Sequence, residues 1–296
     1  MIPGAVVEGG CLCGAVRYRV DGGLRETTHC HCTMCRRTSG APLVTWTVCD
    51  PSDFSWTAGR PARFASSPGC ERTFCATCGS KLTFTDAKRP GDIDIATGSL
   101  DRPGIAVPRS QIFGASRLPW IDIDPHVPFR TGDGPDIQTP ATAEPGGILT
   151  GGCFCGAVRF EVAGRPLRSS ICHCGICRRT TGGPFGVGGV WLRESVSRWG
   201  ETTAYASSDR AWRHFCPSCG ATVFFEDLGD PAVWEVMPSL LDTPATLVPE
   251  CHLFAADAVP GLVMGDALPR WPGPCGSGAP DPALLHPGSE KDKTNL

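Results

Sequence analysis

Cysteine is the residue type whose number and spacing point most directly to chemistry in this sequence. Of the 18 cysteines among 296 residues, 14 fall into two sets of seven with the same order of C-x-C, C-x-C-x-x-C and C-x-x-C spacings. Thiolates at such short spacings are typical ligands of zinc, copper(I) and iron–sulfur clusters. The spacing therefore predicts metal binding by both sets. The first set is Cys11, Cys13, Cys30, Cys32, Cys35, Cys75 and Cys78, and the second is Cys153, Cys155, Cys172, Cys174, Cys177, Cys216 and Cys219.

Seven cysteines per set suggest one closed and one open metal site. A structural zinc takes four protein ligands, and catalytic zinc is usually held by three protein ligands with a free position. The spacing leaves the division open, because Cys32 and Cys35 with Cys75 and Cys78 would also make a zinc ribbon. The odd number of cysteines in each set disfavours a disulfide framework. Iron–sulfur electron transfer is a further alternative, which a colourless protein would exclude.

The two cysteine sets lie in a tandem duplication. The segment GGCLCGAVRYRV at 9–20 returns as GGCFCGAVRFEV at 151–162 with nine of twelve positions identical. CHCTMCRRTSGAP at 30–42 returns as CHCGICRRTTGGP at 172–184, and FCATCG at 74–79 returns as FCPSCG. A repeat of about 140 residues is far longer than a solenoid unit, so we expect each copy to be a domain.

Alternating apolar residues indicate that each copy is built from strands. In the first copy, Val16, Tyr18 and Val20 share one face of a strand by the period-2 pattern. The 37 glycines and 28 prolines supply frequent turn signals, and helical periodicity is scarce. The sequence therefore predicts an all-β fold, with one helical turn after Cys35 and another after Cys177. Further strand candidates are Leu43 to Val48, Phe54 to Trp56, Leu82 to Phe84 and Ile93 to Ala96.

Composition divides the chain into two copies, a connecting segment and a tail. The first domain is predicted at 1–130 and the second at 148–272. Residues 131–147 are rich in Pro, Gly, Thr and Ala, which indicates an extended linker. Residues 273–296 have the composition of a disordered tail.

Charge and hydropathy narrow the class of protein. The 30 acidic and 27 basic side chains give a formal net charge of −3 and a pI near 6.2, whereas nucleic-acid-binding domains are strongly basic. No stretch reaches the roughly 20 apolar residues of a membrane span. The first residues lack the basic and apolar regions of a secretory signal. We therefore expect a cytoplasmic protein with neither a nucleic-acid nor a membrane partner.

The ordered motifs GGCxCGAVRY, CHCxxCRRxxGAP and SSPGCERTFCxxCGSKL resemble the glutathione-dependent formaldehyde-activating enzyme family, also called the centromere protein V family. The resemblance covers about residues 8–129 and 150–271, as a tandem pair of such domains. It implies two zinc-binding β-tent domains. It also implies zinc as the cofactor, with two ions in each domain and four in the chain, and glutathione or another small thiol as the partner.

The resemblance also divides the cysteines. It implies a structural zinc on four thiolates in each copy, and a second zinc on the other three, with its fourth position free for a thiol. The implied four-thiolate sites are Cys11, Cys13, Cys75 and Cys78, and Cys153, Cys155, Cys216 and Cys219. The implied open sites are Cys30, Cys32 and Cys35, and Cys172, Cys174 and Cys177.

The reaction implied by the family is the addition of the glutathione thiol to formaldehyde, which gives S-hydroxymethylglutathione. This is carbon–sulfur lyase chemistry run in reverse. One alternative is a zinc-containing glutathione- or thiol-binding module without turnover, because no motif residue is an obvious general acid or base. Another is a protein in which zinc only folds the sheets. No catalytic residue is therefore assigned beyond the ligands of the open sites.

Four arginines directly follow the last ligand of the two open sites. There a guanidinium could bind a glutathione carboxylate, and the four are predicted to bind substrate. The alternative is that they offset thiolate charge or lie on a solvated turn. The four are Arg36, Arg37, Arg178 and Arg179.

The histidines near the ligands are interpreted as packing residues. His31 and His173 stand between two ligand cysteines, so an extended segment would point them away from the metal. His29 has no counterpart in the second copy and is expected to be incidental. His252 aligns with Gln111, so the two copies differ if that position contacts substrate.

Cys70 has no partner in the other copy but precedes Cys75 by five residues. It is therefore an alternative fourth ligand in the first copy. Cys49, Cys251 and Cys275 also lack counterparts, and we expect them to pack or to be exposed.

Overall fold

The computed structural model describes residues 5–130, 147–276 and 279–281. Each copy folds into a three-stranded and a seven-stranded sheet with one short α-helix, which confirms the predicted all-β class and its two similar domains. The predicted linker at 131–147 lies outside the described residues apart from Gly147, as does most of the predicted tail at 273–296. The domain boundaries themselves stay a prediction. Within the described ranges, neither helix is long or apolar enough to cross a membrane.

The first copy contains ten strands and one α-helix within residues 5–130. The strands are β1 (Val7–Gly10), β2 (Arg17–Val20), β3 (Thr27–Cys30), β4 (Val44–Cys49), β5 (Phe54–Ala58), β6 (Ala62–Ser67), β7 (Cys70–Phe74), β8 (Lys81–Asp86), β9 (Ile93–Ala96) and β10 (Ser110–Ile112), and the helix is α1 (Thr33–Ser39). The small sheet has the order β1-β2-β5, and the large sheet has the order β10-β3-β4-β9-β8-β7-β6. Only β10 and β3 pair in parallel in these two sheets.

The second copy repeats this topology. Its strands are β11 (Ile148–Gly152), β12 (Arg159–Ala163), β13 (Arg168–Cys172), β14 (Gly186–Leu192), β15 (Val196–Trp199), β16 (Thr203–Ser208), β17 (Ala211–Phe215), β18 (Thr222–Asp227), β19 (Val233–Val236) and β20 (Cys251–Leu253), and its helix is α2 (Gly175–Thr181). The sheet orders are β11-β12-β15 and β20-β13-β14-β19-β18-β17-β16. The duplication in sequence is therefore a duplication in fold.

The predicted helical turns are confirmed as helices of seven residues. Cys32 caps α1, because its sulfur accepts a hydrogen bond from the backbone N–H of Cys35 at 3.3 Å. Gly40 ends the helix in the left-handed conformation, with φ of 83°. Cys174 and Gly182 do the same for α2. The helix caps thus fix the positions of ligand cysteines.

The core of each copy lies against the C-x-C and C-x-x-C cysteines. In the first copy, Tyr18 and Leu82 are fully buried in the same apolar cluster as Cys11, Cys75 and Cys78. A hydrogen bond of 2.7 Å between the Tyr18 hydroxyl and Ser99 satisfies the buried phenol. The cysteines therefore close an apolar core, where bound metal would add stability to a small β domain.

The two copies pack against each other through a shared core. Ile123 forms an isolated antiparallel bridge with Met264, and both belong to a buried cluster to which each copy contributes. The backbone N–H of Asp124 donates to the carbonyl of Val263 at 2.8 Å. The cluster is Leu43, Leu118, Ile121 and Ile123 from the first copy, with Ile171, Phe185, Val187, Ala255, Leu262 and Met264 from the second.

Equivalent glycines of the two copies lie close against the other copy. Gly79 has φ of 74°, and a Cβ atom there would lie 2.6 Å from Cγ of Phe215. Gly220 has φ of 77°, and a Cβ atom there would lie 2.5 Å from Cγ of Phe74. Each C-x-x-C turn thus packs against a phenylalanine of the other copy. Glycine is required in the turn because its backbone is left-handed and a side chain there would overlap the ring. The interface relates the copies by an approximate two-fold axis.

Candidate metal centres and thiol site

Each copy holds a cluster of four cysteines, made by a turn after its first strand and a turn between two strands of the large sheet. In the first copy, Cys11 and Cys13 follow β1, and Cys75 and Cys78 lie between β7 and β8. The four sulfur atoms lie within 4.8 Å of one another. We call this cluster and its equivalent the four-cysteine clusters; the second is Cys153, Cys155, Cys216 and Cys219.

The sulfur spacing of the four-cysteine clusters fits a tetrahedral metal. Sulfur ligands at 2.3 Å from zinc in a tetrahedron stand about 3.8 Å apart. The sulfur of Cys13 lies 3.5 Å from that of Cys11 and 3.7 Å from that of Cys75. Burial raises the pKa of Cys13 to about 11, so a bound cation is needed to keep the group ionised. The clusters could therefore hold metal ions.

The remaining ligand cysteines form a second cluster in each copy, at the start of the helix. Cys30 ends β3, Cys32 caps α1 and Cys35 lies in its first turn, and their sulfur atoms lie within 4.8 Å of one another. The zinc-ribbon division, which joins Cys32 and Cys35 to Cys75 and Cys78, is not formed. We call these the three-cysteine clusters; the second is Cys172, Cys174 and Cys177.

Mutual hydrogen bonding sets the ionisation of the three-cysteine cluster in the first copy. Hydrogen bonds with Cys32 and Cys35 hold the pKa of Cys30 well above its ordinary value, and burial acts in the same direction. The same contacts hold the pKa of Cys35 well below its ordinary value, and Arg72 contributes to this effect. One thiolate thus forms readily and the others resist ionisation without a cation.

Arg72 supplies the positive charge beside this cluster and was not identified from the sequence. Its Nη2 donates to the sulfur of Cys35 at 3.5 Å, and the side chain is only 8% exposed. Its guanidinium also lies over Phe84, 4.7 Å from the ring centroid. The indole N–H of Trp46 donates to the same sulfur at 3.4 Å. Two donors therefore stabilise negative charge on Cys35.

Arg213 takes the same place in the second copy. Its Nη2 donates to the sulfur of Cys177 at 3.4 Å, and its guanidinium lies over Phe225. Burial lowers the pKa of Arg213, but the charges of Cys177 and its neighbours outweigh burial and raise it overall. The indole donor has no equivalent, because Gly188 stands in the place of Trp46. The two three-cysteine clusters thus share the arginine but differ in the second donor.

The signal for these arginines was present in the repeat. Arg72 and Arg213 both stand two residues before the phenylalanine of the FC motif, although the segments around them otherwise differ. In an alternating strand that position faces the same side as the phenylalanine. An arginine kept in both copies on a buried face indicates an anionic neighbour.

A cavity of about 420 Å³ opens over the three-cysteine cluster of the first copy. This volume falls within the range of small-molecule sites, which is about 300–1,000 Å³. Trp46, Ile112 and Phe113 contribute apolar wall, and Cys70 also lines the cavity. Both signs of charge are present on its walls. The charged residues are Arg72, Arg89, Arg130, Glu26, Asp86 and Asp94.

The arginines predicted to bind substrate have other contacts. Arg37 donates to the carbonyl of Gly152 at 3.2 Å and lies 3.4 Å from the carboxylate of Asp242, both in the second copy. Arg179 makes the equivalent contacts with Gly10 and Asp101 in the first copy. These side chains therefore join the copies.

Arg36 and Arg178 are also held by the protein. Arg36 is 1% exposed and donates to the hydroxyl of Thr33 at 3.2 Å. Arg178 donates to the carbonyls of His173 and Asp257. None of the four arginines lines the 420 Å³ cavity. Their role in substrate binding stays a prediction.

The histidines between the ligands are buried and point into hydrogen-bond networks. Nε2 of His31 lies 2.9 Å from Oε1 of Gln111, and Nε2 of His173 lies 2.9 Å from Nδ1 of His252. Burial lowers the pKa of His31 to about 4, so the ring is neutral. The aligned pair at positions 111 and 252 thus supports the histidine between the ligands. These contacts agree with the predicted packing role.

His29 is not incidental, contrary to the sequence interpretation. Its Nε2 lies 2.8 Å from Oδ2 of Asp124, and its Nδ1 lies 2.8 Å from the hydroxyl of Thr45. Asp124 also accepts from the backbone N–H of Val263 in the second copy at 2.9 Å. His29 therefore belongs to a buried network at the interface of the copies.

Cys70 lines the cavity but does not belong to the group of three sulfurs that lie within 4.8 Å of one another. The alternative in which it completes that group is therefore not formed. Cys49 is buried, Cys251 is half-buried and Cys275 is exposed, as expected for cysteines outside the metal sites. All 18 cysteines are free of disulfide bonds.

Comparisons with known proteins place this geometry in a family. The family described as glutathione-dependent formaldehyde-activating enzyme matches residues 6–116 and again residues 148–257. An uncharacterized lyase of Schizosaccharomyces pombe is 36% identical over 75 residues, which are 25% of this chain and 55% of that protein. A Halomonas elongata protein, provisionally named a glutathione-dependent formaldehyde-activating enzyme, is 31% identical over 121 residues, which are 36% of this chain and 74% of that protein. A crystal structure of a Rhodobacter sphaeroides protein is 26% identical, with a TM-score of 0.27, over 32% of this chain and 87% of that one.

The family matches the two copies separately, and the matched residues make up most of the chain. The match to the S. pombe lyase spans about half the length of that protein. Both matched regions contain a complete four-cysteine cluster and a complete three-cysteine cluster. The chain therefore belongs to the glutathione-dependent formaldehyde-activating enzyme family, of which it carries two domains in tandem.

Proposed function

We propose that this protein is a zinc-dependent enzyme of the carbon–sulfur lyase type, which joins the thiol of glutathione to formaldehyde as S-hydroxymethylglutathione. The observation that carries the proposal is the division of the cysteines in each copy. Four sulfurs lie together in one cluster, and three more converge elsewhere beside a buried arginine. Three protein donors leave one position for a substrate.

Zinc suits the donor set of both cluster types, because soft thiolates select it and it is held tetrahedrally. The four-cysteine clusters would hold two structural ions. The three-cysteine clusters would hold two further ions, each through Cys30, Cys32 and Cys35 or through their equivalents. At an open site zinc would supply a binding position for the glutathione sulfur as a thiolate, which is the nucleophile that an aldehyde requires.

The residues around the first site suit a small thiol that carries charges of both signs. Glutathione has two carboxylates and one ammonium group besides its thiol. The cavity wall carries guanidinium groups at Arg89 and Arg130 and carboxylates at Glu26 and Asp86; Arg130 is paired with Glu26, and Arg89 is paired with Asp94, so a charged ligand would exchange with these ion pairs. Arg72 would stabilise the sulfur as its thiolate, since it lies beside Cys35. The apolar wall at Trp46 would exclude water from the reacting atoms.

The test is the loss of free formaldehyde in the presence of glutathione and of the full chain loaded with zinc. The expected result is a rate above the spontaneous reaction, in proportion to the protein concentration. The control is a chain with Cys35→Ser and Cys177→Ser, which keeps the four-cysteine clusters. An equal rate with the control chain and with the wild-type chain would refute the proposal.

A thiol-binding module without turnover is the second candidate, and one contact favours it. The carboxylate of Asp94, a cavity acid of the first copy, is held by Arg89 at 2.5 Å. A carboxylate in an ion pair is a weak proton carrier, so Asp94 is poorly suited to act as the acid or base of the first copy. Tight glutathione binding by calorimetry without any rate enhancement would select this candidate.

We infer that the protein acts in the cytoplasm. All 18 cysteines are free, and thiols at this density require a reducing compartment. Localisation of the tagged full chain in cells would check this inference.

A further inference from the structure

The second copy contains a carboxyl group that has lost the partner it has in the first copy. Glu235 on β19 stands at the repeat position of Asp94 on β9. Asp94 is paired with Arg89, but the position of Arg89 is taken by Asp230 in the second copy. Among the described residues, the carboxyl of Glu235 makes no hydrogen bond or ion pair. An acidic side chain that is partly buried without a partner costs stability, so its presence here suggests a function.

The space for this carboxyl comes from the loss of the indole. Gly188 on β14 stands at the repeat position of Trp46, whose N–H reaches the sulfur of Cys35. A Cβ atom at Gly188 would overlap Oε1 of Glu235, so any larger residue would displace the carboxyl. The carboxyl of Glu235 therefore occupies the space that corresponds to the Trp46 indole of the first copy.

The same face of the sheet leads to the three-cysteine cluster of the second copy. Glu235 pairs with Val190, and directly paired residues share a face with Gly188 and Gly186. A Cβ atom at Gly186 would lie 3.6 Å from the sulfur of Cys177. The carboxyl and this sulfur thus lie along one short strand face.

Charged groups from three other elements surround Glu235, and a neighbouring strand pairs with it. Arg168 of β13 and Arg213 of β17 are the cations, and Cys177 is the group that adds negative charge when it is ionised. Phe225 of β18 pairs with Glu235 on the other side. Burial is the main cause that raises the pKa of Glu235 to about 7, and the charge of Cys177 adds to it. The carboxyl can therefore both accept and release a proton near neutral pH.

We propose that Glu235 is the proton-transfer residue of the second copy, and that the two copies of this chain differ in catalytic power for that reason. The inference rests on the proposed function. The Glu235 carboxylate accepts the proton of the glutathione thiol as the sulfur–hydrogen bond breaks. The sulfur electron pair forms the carbon–sulfur bond with formaldehyde, and the carbonyl π electrons move to oxygen. The carboxyl then returns its proton to that oxygen, which balances the reaction without an oxidant or reductant.

The experiment isolates the second copy in a zinc-loaded full chain that carries Cys35→Ser. In that chain, Glu235→Gln should lower the protein-dependent rate by at least about tenfold, because a positioned acid–base group contributes about 10²- to 10⁴-fold. The rate of the parent chain should rise as the pH rises through about 7, where Glu235 loses its proton, and Glu235→Gln should abolish that step. Glu235→Asp keeps an ionisable group and should retain the step at a lower rate.

A matched control comes from the neighbouring strand. Glu226 of β18 faces the opposite side of the sheet, where it pairs with Arg193 at 2.6 Å and His214 at 3.2 Å. Glu226→Gln should therefore keep both the rate and its pH dependence. Zinc content and far-UV circular dichroism of all variants check that the fold is retained.

The outcomes separate the two proposals. If the parent chain accelerates the reaction and Glu235→Gln keeps its rate and its pH step, the proton-transfer role is wrong and the proposed function stands. If Glu235→Gln and Glu226→Gln lower the rate equally, the effect is a general one on the sheet and the role is also wrong. If the parent chain and the wild-type chain show no acceleration, both proposals fail.

Discussion

Removal of the buried arginine beside each three-cysteine cluster should weaken the binding of a thiolate ligand there, and more strongly in the second copy. The perturbations are Arg72→Met and Arg213→Met, which keep most of the side-chain volume against the aromatic ring. Each arginine makes one hydrogen bond from Nη2 to a cysteine sulfur, at 3.5 Å and 3.4 Å. A hydrogen bond to a charged group is worth about 1.5–3 kcal/mol, and the arginine contributes most when a bound thiolate adds further negative charge to the cluster, so its loss should lower the affinity by at most about 10- to 150-fold.

The two copies should not respond equally. In the first copy, Trp46 keeps donating to the sulfur of Cys35, so Arg72→Met should fall at the lower end of this range. In the second copy, Arg213 is the side chain that donates to Cys177 among the described residues, so Arg213→Met should fall at the upper end. The order of the two effects is therefore part of the prediction.

Calorimetric titration of the zinc-loaded full chain with glutathione measures both effects, because each variant leaves the other copy intact. Arg63→Met is the control, since Arg63 lies on the same sheet in an exposed ion pair with Glu71. Zinc content must equal that of the wild type. Glutathione affinities equal to that of Arg63→Met would refute the electrostatic role, and a larger effect of Arg72→Met would refute the part assigned to the indole.

Three further changes test the fold and the sites. The double variant Cys35→Ser and Cys177→Ser should still unfold cooperatively. Its zinc content, measured by atomic absorption, should fall from about four to about two ions per chain. Loss of the fold would mean that these sites are structural. Arg37→Ala and Arg179→Ala should each lower the free energy of unfolding by about 1 kcal/mol, because both side chains contact the other copy. Both variants should leave the glutathione affinity unchanged. Weaker glutathione binding would instead support the substrate role predicted from sequence. Phe215→Ala should cost about 3–5 kcal/mol in equilibrium denaturation, because its ring fills the space above Gly79, and a cost below about 1 kcal/mol would contradict the described interface.

Much of the fold could be predicted because the repeat and the period-2 pattern are local signals. Tyr18 and Val20 are fully buried as their alternation predicts, and the helical turn after Cys35 is observed as α1. Strands such as β3 and β7 were missed, because their buried positions hold Thr, His, Cys and Arg. Polar residues satisfied by tertiary contacts do not register as an apolar face.

The site was predictable only in part, because spacing along the chain does not give pairing in space. The number seven suggests four ligands and three, but the ribbon alternative was equally consistent with spacing, and only the family resemblance chose between them. Cys11 meets Cys75 through the fold of β1 against the turn after β7, which no local pattern encodes. Arg37 was predicted to bind substrate because it closely follows a ligand; its observed contacts are with the other copy, and the substrate role stays a prediction.

The differences between the copies were the hardest to anticipate. His29 and Asp124 make a buried pair, and the second copy has Ile171 in place of the histidine. When the two copies are compared position by position, such a replacement gives no indication of a functional difference. The difference becomes visible only when the residues that contact that position in space are known. Trp46 and Gly188 are a further case, since the glycine matters through Glu235.

Lys81 occupies the approximate two-fold axis between the copies. Its ammonium donates to the carbonyls of Gly79 and of the equivalent Gly220, and the second copy has Thr222 in its place. Two separate identical chains would have to bring either two ammonium groups to this spot, which would repel each other, or none. Covalent fusion of the copies is therefore what permits an odd charge at the centre of symmetry. A second copy of the first half in place of the second half would bring two ammonium groups to this spot, so the first half is suited to its fused partner and not to a copy of itself.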